Sequence, residues 1–251
     1  MDHDAIAGLF GLPILSRVDK RVPKSMLGDT RGATAADRTI IASAIESLTW
    51  VAALKPANCG VKAYSDELRD YSEVQVLRLE VRGARGVQRL RRVVHRAVPY
   101  PVLLVTIALG VEVSVAHVRR SQAAPAHVVV EDEIEAAHLP LGVDQSWAGT
   151  AVAALTFTAQ PANNFFTLYD GWRASLIAIR AAERTGQYRR PRGSEAVESR
   201  RAALAECERI EKDIAAVRAA ARRTPQRSRQ VTFTADLRRL ERSLLAAVER
   251  I

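Results

Sequence analysis

Apolar and polar positions in the first part of the chain follow a helical period and then an extended one. In residues 33–54 the apolar side chains recur every three to four residues, and Thr34 with Asp37 three residues later forms an N-capping signal. This pattern predicts a helix over about residues 35–48. Residues 50–54 then continue as a strand or as an extended segment.

Residues 73–82, EVQVLRLEVR, alternate apolar and charged side chains, as a half-buried strand does. Helical spacing returns over residues 87–98. Pro99 cannot continue this helix, because it lacks an N–H and its ring clashes with the preceding turn. Pro101 favours an extended backbone in the residue before it, so the two prolines predict a switch from the helix into a strand over residues 102–108.

Further strands are predicted after this switch. Residues 111–118 return as the second strand of a hairpin around Gly110, and the run HVVV at His127 begins another strand. The runs VLLVTIAL and HVVV are apolar enough for inner strands of a sheet. Residues 140–164 fit either a strand or a short helix, and a clearer helix begins at Asn164.

The last part of the chain has a different pattern. Two segments within residues 195–251, separated by Thr224-Pro225, carry apolar residues at steps of three and four. They predict two amphipathic helices of about four to five turns each, folded as an antiparallel, coiled-coil-like hairpin over residues 194–251. Residues 1–185 are predicted to form an α+β body with a mixed, mostly antiparallel sheet and helices packed on it.

Composition adds one strong feature, a formal net charge of +9 over 251 residues. A basic balance of this size suggests an acidic partner such as nucleic acid. GC-rich coding is an alternative explanation, because arginine outnumbers lysine heavily and alanine and valine are abundant. The placement of the arginines therefore has to decide between the two explanations.

Compartment and cofactors can be judged from features that the sequence lacks. It has no run of the ~18–20 uncharged apolar residues that cross a bilayer, its acidic start is unlike a secretory signal, and it has no glycine-rich phosphate loop. Cys59 and Cys207 lie too far apart for a metal-ligand spacing or a disulfide framework, and the five histidines form no cluster of zinc ligands. A cytoplasmic protein without metal, cofactor or membrane contact is expected.

Short patches along nearly the whole chain keep a common order. They are residues 12–13 (LP), 17–24 (RVDKRVPK), 48–50 (LTW), 54–56 (LKP), 74–81 (VQVLRLEV), 97–102 (AVPYPV), 168–171 (LYDG) and the C-terminal hairpin. In this succession the chain resembles the bacterial family called domain of unknown function forty-three ninety-one. The resemblance implies no established activity and no catalytic residues. It implies a context, since members are encoded beside helicases and DNA methyltransferases in anti-phage islands.

The most suggestive surface is a row of arginines around the helix predicted before Pro99. Its members, spaced i, i+4, i+7 and i+11 opposite the apolar face, are Arg85, Arg89, Arg92 and Arg96, called the arginine row below. Guanidinium groups in such a row match phosphate oxygens along a nucleic-acid backbone. The alternative is a solvated outer face, but the sequence from Arg82 to the end of the row offers no acidic pairing partner.

A second basic cluster lies where the two C-terminal helices meet. Its members are Arg222, Arg223, Arg227 and Arg229, called the hairpin tip below. A long hairpin with a basic end could reach DNA or an acidic surface of a partner protein. No aromatic residues are interleaved with these arginines, so base stacking on single strands is not indicated. A polar turn without a binding role is the alternative.

A metal-dependent nuclease is a further hypothesis, because helix, strands, helix and strand is also the order of restriction-type nuclease cores. Glu80 lies near the end of the strand 73–82, where a carboxylate would hold a magnesium ion. Arg82 stands where such a core has lysine, and arginine cannot release its proton. The upstream aspartate that the site needs has no clear candidate, since Asp66 and Asp70 lie in the polar segment before the strand.

These patterns favour a non-enzymatic accessory or adaptor subunit of a bacterial anti-phage defence system. In this hypothesis the arginine row and the hairpin tip contact DNA, and the hairpin binds a protein partner such as a defence helicase or methyltransferase. Because an isolated helical hairpin is marginally stable, pairing with a second copy is also open. The alternatives are a restriction-type nuclease using Glu80, active or degenerate, and a purely structural adaptor that never touches DNA.

Overall fold

The computed structural model describes residues 1–28, 33–121, 128–131, 133–142, 144–224 and 226–251, and for residues 227 and 228 it describes the backbone alone. The chain forms two compact units, Met1–Ile179 and Arg180–Ile251. Among the helices in these ranges, none combines the length with the apolar character that spanning a bilayer requires. The first unit carries the sheets and the second carries the helical hairpin.

Helices and strands alternate along the first unit, and helices alone follow. The helices are α1 (His3–Leu9), α2 (Ser25–Gly28), α3 (Ala35–Ala44), α4 (Pro56–Cys59), α5 (Val87–Ala97), α6 (Ala148–Ala153), α7 (Phe165–Thr185), α8 (Ser194–Arg223) and α9 (Arg227–Val248). The strands are β1 (Arg17–Arg21), β2 (Ile45–Leu54), β3 (Tyr64–Ser65), β4 (Asp70–Tyr71), β5 (Val74–Val81), β6 (Val102–Ile107), β7 (Val111–Val115), β8 (Val118–Arg120), β9 (Val128–Val130) and β10 (Glu135–His138).

Within the described residues, the main sheet has six strands in the order β1-β2-β5-β6-β7-β10. Strands β5 and β6 are parallel and are joined by the crossover helix α5, whereas the other neighbouring strands of this sheet run antiparallel. Small antiparallel sheets pair β3 with β4 and β8 with β9. The mixed, mostly antiparallel main sheet confirms the predicted α+β class.

The centre of the main sheet is buried on both faces. Residues 102–105 of β6 are each at most 1% exposed, although successive side chains point to opposite faces. On one face, α3 and α5 pack with Leu77 and Leu79 of β5 in a single hydrophobic cluster. Arg78, which lies between these two leucines, points to the other face and donates from Nε to the Met1 carbonyl at 2.9 Å. The start of the chain therefore covers part of the second face.

The segment that the apolar spacing predicted as one helix is divided between α3 and β2. The predicted capping box is present, because the Asp37 N–H donates to Thr34 Oγ1 at 3.1 Å and the Thr34 N–H donates to Asp37 Oδ2 at 2.9 Å. The helix nevertheless ends at Ala44, so the prediction of a helix to residue 48 is wrong. Ile45 and Leu48 are buried in β2, where pairing with β5 satisfies the backbone instead.

Strand β6 is the predicted inner strand, since it lies between β5 and β7. The run HVVV does not take a second inner position, which corrects the prediction for that segment. Its described part, β9, pairs with β8 in a separate small sheet, and its first residue, His127, lies outside the described residues. The edge strands β1 and β10 were not predicted at all, and they complete the two sides of the sheet.

Helices α8 and α9 form the predicted antiparallel hairpin, but with 30 and 22 residues they have about eight and six turns, so the prediction of four to five turns each is wrong. The buried core residues of the hairpin are Cys207, Ile210, Ile214 and Ala247. At the turn, the side-chain amide of Gln230 donates to the carbonyl of Ala221 at 2.8 Å and to that of Thr224 at 2.5 Å. These bonds satisfy carbonyls at the end of α8 and tie the start of α9 to them. Pro225, the expected helix breaker, lies outside the described residues.

Candidate nucleic-acid interface

Helix α5 places the arginine row on the outer side of the crossover between β5 and β6. The side chains of Leu90, Val93 and Val94 are buried beneath the helix, so its opposite side faces solvent. The helix begins at Val87, after Gly86 in the left-handed conformation at φ +80°. Arg85 consequently precedes the helix, and only the other three members of the row lie on it.

A buried carboxylate engages two members of the row. Arg89 donates from Nε to Asp37 Oδ1 at 2.6 Å and from Nη2 to Thr34 Oγ1 at 2.9 Å. Arg96 Nη2 lies 3.5 Å from Asp37 Oδ2. The Thr34 N–H and the Arg89 guanidinium hold the pKa of Asp37 well below its usual range, although burial opposes them. Asp37 is therefore ionised, and it both caps α3 and orients Arg89.

The remaining positive charge of this surface comes from the other two members of the row. Arg85 and Arg92 make no hydrogen bond or ion pair with any described residue. The side chains of Arg89 and Arg96 are still 45% and 49% exposed, so Asp37 covers only one side of each. The row thus combines two unpaired guanidinium groups with two that a carboxylate holds in place, and its net charge is +3 when Asp37 is counted.

The hairpin tip carries the most one-sided charge in the second unit. Residues 214–235 contain five arginines and no acidic residue. Arg222 and Arg223 lie in the last turn of α8, and Arg229 lies in the first turn of α9. None of these three has an ion pair or a hydrogen bond from its side chain to a described residue, and the Arg227 side chain lies outside the described part. The fifth arginine, Arg218, pairs with a glutamate on α9.

Helix dipoles explain only half of this cluster. Cations in the last turn of α8 complement the negative end of that helix, so Arg222 and Arg223 also favour folding. Arg229 lies at the positive end of α9, where a cation is unfavourable. No acidic residue occupies the first turn there, and the N-cap residue Gln226 makes no capping bond from its side chain. The helix dipole therefore gives no reason for a cation at Arg229.

The arginines of the hairpin shaft, the part of the second unit outside residues 214–235, behave differently. Several of them pair with carboxylates within that unit: Arg180 with Glu208, Arg184 with Glu211, Arg209 with Glu206 and Asp213, and Arg239 with Asp236. These shaft arginines are thus compensated by carboxylates, whereas the tip arginines with described side chains are not. This contrast argues that the tip is more than a product of arginine-rich coding.

The proposed nuclease residue Glu80 is held by neighbours in the sheet. Ser47 donates from its hydroxyl to Glu80 Oε2 at 2.8 Å, and Arg78 Nη2 donates to Glu80 Oε1 at 3.0 Å. These two partners lower the pKa of Glu80 from its ordinary value. Arg78 also donates to the Ser47 hydroxyl at 3.3 Å, so one guanidinium group contacts both the Glu80 carboxylate and its hydroxyl partner.

Other carboxylates do not gather around Glu80 in the described part of the chain. Asp66 accepts from the Leu68 and Arg69 N–H groups in a turn, and Asp70 pairs with an arginine on β8. The one group of three potential metal ligands among the described residues is His3, Asp4 and Asp19, and both of its carboxylates pair with Arg17.

A buried polar chain that the sequence did not reveal joins β4, the start of β8 and α7. The Tyr71 hydroxyl lies 2.7 Å from His117 Nδ1, and His117 Nε2 lies 3.4 Å from Asp170 Oδ1. The Val118 N–H donates to the same hydroxyl at 3.3 Å. Tyr71 is fully buried, and burial raises the pKa of its hydroxyl, so the phenol stays protonated in this chain. Local sequence spacing could not have predicted this chain, because Tyr71 lies 46 positions before His117 and Asp170 lies 53 positions after it.

The LYDG patch contributes another structural contact. The fully buried hydroxyl of Tyr169 accepts from the Ala116 N–H at 2.8 Å and lies 2.7 Å from the Val102 carbonyl, to which it donates. Val102 ends the AVPYPV patch. Two of the patches that carry the family resemblance therefore meet at one hydroxyl, where α7 is fastened to β6 and to the end of β7.

Comparison with known proteins gives a family without an assigned activity. A family model described as a domain of unknown function (DUF4391) matches residues 10–244. No curated protein and no solved structure matches the chain. The family match runs from the end of α1 into α9 and so includes the arginine row, Glu80 and the hairpin tip.

Proposed function

The chain belongs to the DUF4391 family, and we propose that it is a non-enzymatic, DNA-binding accessory subunit of a bacterial anti-phage defence system. The hairpin tip is the principal DNA contact in this proposal. The observation that carries it is the run of five arginines without an acidic residue at 214–235, which includes a cation at the unfavourable end of α9. The defence context comes from the resemblance to the family.

Phosphate groups are the partner chemistry that fits such a tip. Exposed guanidinium groups bind phosphate oxygens through charge-assisted, often forked hydrogen bonds. Each phosphate neutralised on duplex DNA releases counterions and contributes about −0.9 to the slope of log affinity against log salt. A tip that uses its four arginines should therefore bind with a slope of about −3 to −4. The like charges that repel one another in the free protein would be compensated in the complex.

The arginine row is a second DNA contact in the proposal, located on the first unit. Arg85 and Arg92 supply guanidinium groups without partners in the described residues. Arg89 and Arg96 supply groups that Asp37 already orients, so that less side-chain entropy is lost when a phosphate binds their exposed sides. A protein partner, such as a defence helicase or methyltransferase, would complete the system and supply the chemistry.

The test replaces the charge of the tip and measures DNA affinity. We expect the variant Arg222→Ala/Arg223→Ala/Arg229→Ala to bind a DNA duplex roughly 30-fold more weakly than the wild type at about 0.1 M salt. Its salt slope should be smaller by about 3, because three phosphate contacts are lost. Fluorescence anisotropy of a labelled duplex, titrated at several salt concentrations, gives both quantities.

A control variant changes the same number of charges elsewhere in the hairpin. Arg209→Ala/Arg239→Ala/Arg242→Ala removes three exposed arginines of the shaft, two of which are paired with carboxylates. We expect its affinity to stay within about threefold of the wild type, since only the long-range field changes. Equal losses of DNA affinity in both variants would show that the tip contributes only through the overall charge of the protein. If the wild-type protein has no salt-sensitive affinity for DNA, the purely structural adaptor replaces the proposal.

The nuclease hypothesis is kept as the second candidate because one observation favours it. The order α3, β2, β5, α5, β6 is that of the restriction-type core, and it places Glu80 near the end of β5. We nevertheless expect the wild type with Mg²⁺ or Mn²⁺ to leave duplex DNA intact, since Arg78 and Ser47 occupy both oxygens of Glu80. Gel analysis of a supercoiled plasmid measures this. Metal-dependent cleavage that disappears in Glu80→Gln would replace the proposal by the nuclease.

A further inference from the structure

We infer that the hairpin tip binds the phosphate backbone of double-stranded DNA and does not read its bases. This inference rests on the proposed DNA binding and adds the class of ligand. Three features of the tip carry it: the lack of stacking side chains, the fixed amide of Gln230 and the absence of orienting partners for the arginines.

Single-stranded DNA is poorly matched to the chemistry of the tip. Proteins that bind single strands stack the bases on exposed aromatic rings, and each such contact contributes about 1–3 kcal/mol. Residues 214–235 contain a single aromatic residue, Phe233, and it is half-buried. A single strand would therefore offer the tip only its phosphates, and it would have to be ordered on binding.

Direct reading of base edges is also poorly supported. Asparagine and glutamine read adenine through their side-chain amides, and residues 214–235 contain no asparagine. The amide nitrogen of Gln230 is committed to the carbonyls of Ala221 and Thr224. These bonds close the turn, so the amide is not available as a donor to a base.

The arginines themselves are suited to phosphates rather than to guanine. An arginine that reads guanine donates two parallel bonds into the major groove, and this requires a guanidinium group held in a fixed orientation. Arg222, Arg223 and Arg229 have no orienting partner among the described residues, in contrast to Arg89 with its two bonds to the capping box. Guanidinium groups that no partner holds in one orientation can adapt to phosphates of any sequence.

A rigid duplex presents the matching array. It carries about one negative charge per 1.7 Å of axis, on two rows of phosphates whose positions are fixed before binding. Arg222 and Arg223 point in directions about 100° apart around α8 because of the helical period. Arg229 projects from the neighbouring helix. Cations that diverge in this way can engage phosphates on both sides of a groove.

The experiment measures how tightly the full-length wild-type protein binds one DNA sequence in its double-stranded and single-stranded forms. The probes are a labelled duplex of about 20 base pairs and each of its single strands, together with an AT-rich and a GC-rich duplex of the same length. We expect the duplex to bind about tenfold or more tightly than either strand at equal phosphate concentration. The AT-rich and GC-rich duplexes should agree within about twofold in affinity and share one salt slope.

The outcomes separate this inference from the proposed function. Affinity for a single strand equal to or above that for the duplex would overturn the inference and leave DNA binding standing. A preference of about tenfold between the two duplexes would overturn it as well, because bases or groove shape would then be read. No affinity for any probe would remove the proposed function and the inference together. In the Arg222→Ala/Arg223→Ala/Arg229→Ala variant, the preference for the duplex over the strands should shrink to about threefold or less.

Discussion

Acidification from pH 6.5 to pH 4.5 is expected to lower the free energy of unfolding by about 2 kcal/mol through one side chain, His95. This residue lies on the inner side of α5, only 1% exposed. Its Nε2 is 3.0 Å from the Ser114 hydroxyl, and its Nδ1 has no hydrogen-bond partner among the described residues. The ring is thus buried without a group that could stabilise a positive charge.

The sign of the effect follows from the two pKa values. Burial, and secondarily the charge of Arg91, lower the pKa of His95 from 6.5 to about 3 in the folded protein. The unfolded chain therefore binds more protons as the pH falls below 6.5. The stabilising contribution is complete well above that pH, and about 4 kcal/mol of it is lost by pH 3. Above pH 4.5 the carboxylates with lowered pKa values contribute little to this slope.

Urea unfolding between pH 7 and pH 4.5 measures the effect. The variant His95→Gln removes the titrating ring and should show a profile flatter by about 2–3 kcal/mol over this range. The same change at His138, whose side chain is 72% exposed, is the control and should leave the wild-type profile unchanged. A wild-type stability that is constant from pH 7 to pH 4.5 would contradict the assignment of His95 as a buried neutral ring.

Removing the hydroxyl of Tyr169 is expected to lower the free energy of unfolding by about 3 kcal/mol. The hydroxyl is fully buried, and burial raises its pKa well above the ordinary value, so it remains a proton donor. Tyr169→Phe leaves the N–H of Ala116 and the carbonyl of Val102 without this partner in an interior that water does not reach. Each buried polar group left without a bond costs about 1–3 kcal/mol.

Tyr100 provides the matched control for this prediction. It lies between the two prolines before β6, it is half-buried, and its hydroxyl makes no hydrogen bond with a described residue. Tyr100→Phe is the same chemical change and should alter the free energy of unfolding by less than about 0.5 kcal/mol. Thermal or urea unfolding of both variants decides the matter. Equal effects at the two positions would show that the two hydrogen bonds of Tyr169 are not what fastens α7.

Elements that depend on local chemistry were predictable from the sequence. The end of α5 at Ala97 and the start of β6 at Val102 follow from Pro99 and Pro101, because a proline restricts its neighbours whatever the tertiary structure is. The capping box of α3 was equally local. The turn between α8 and α9 lies within a few residues of the change in pattern.

Elements that depend on distant partners were not predictable. The edge strand β1, RVDKR, has no apolar alternation, and its extended conformation comes from pairing with β2. The four residues of β10 owe theirs to β7. Ile45 and Leu48 fit a helical period as well as an extended one, and only the presence of β5 decides between them.

The candidate interface shows the same division. The hairpin tip is visible in the sequence because its arginines and the lack of acidic residues belong to one continuous stretch. The ion pair between Arg89 and Asp37 could not be predicted, because Asp37 lies 52 positions earlier and the segment around the row has no acidic residue. Asp37 was recognised for its capping role alone, and the fold adds the second role by packing α3 beside α5.

The uneven distribution of charge along the hairpin has a consequence for how fast complexes form. A body that carries a dense cluster of like charge at one end experiences a torque in the field of a polyanion, so it would be turned before the surfaces touch. Collisions in the wrong orientation become a smaller fraction of all encounters. Salt at 0.1 M screens this electrostatic steering beyond about 10 Å. Ionic strength would therefore change the association rate through the arginines of residues 214–235 more than through those of the shaft.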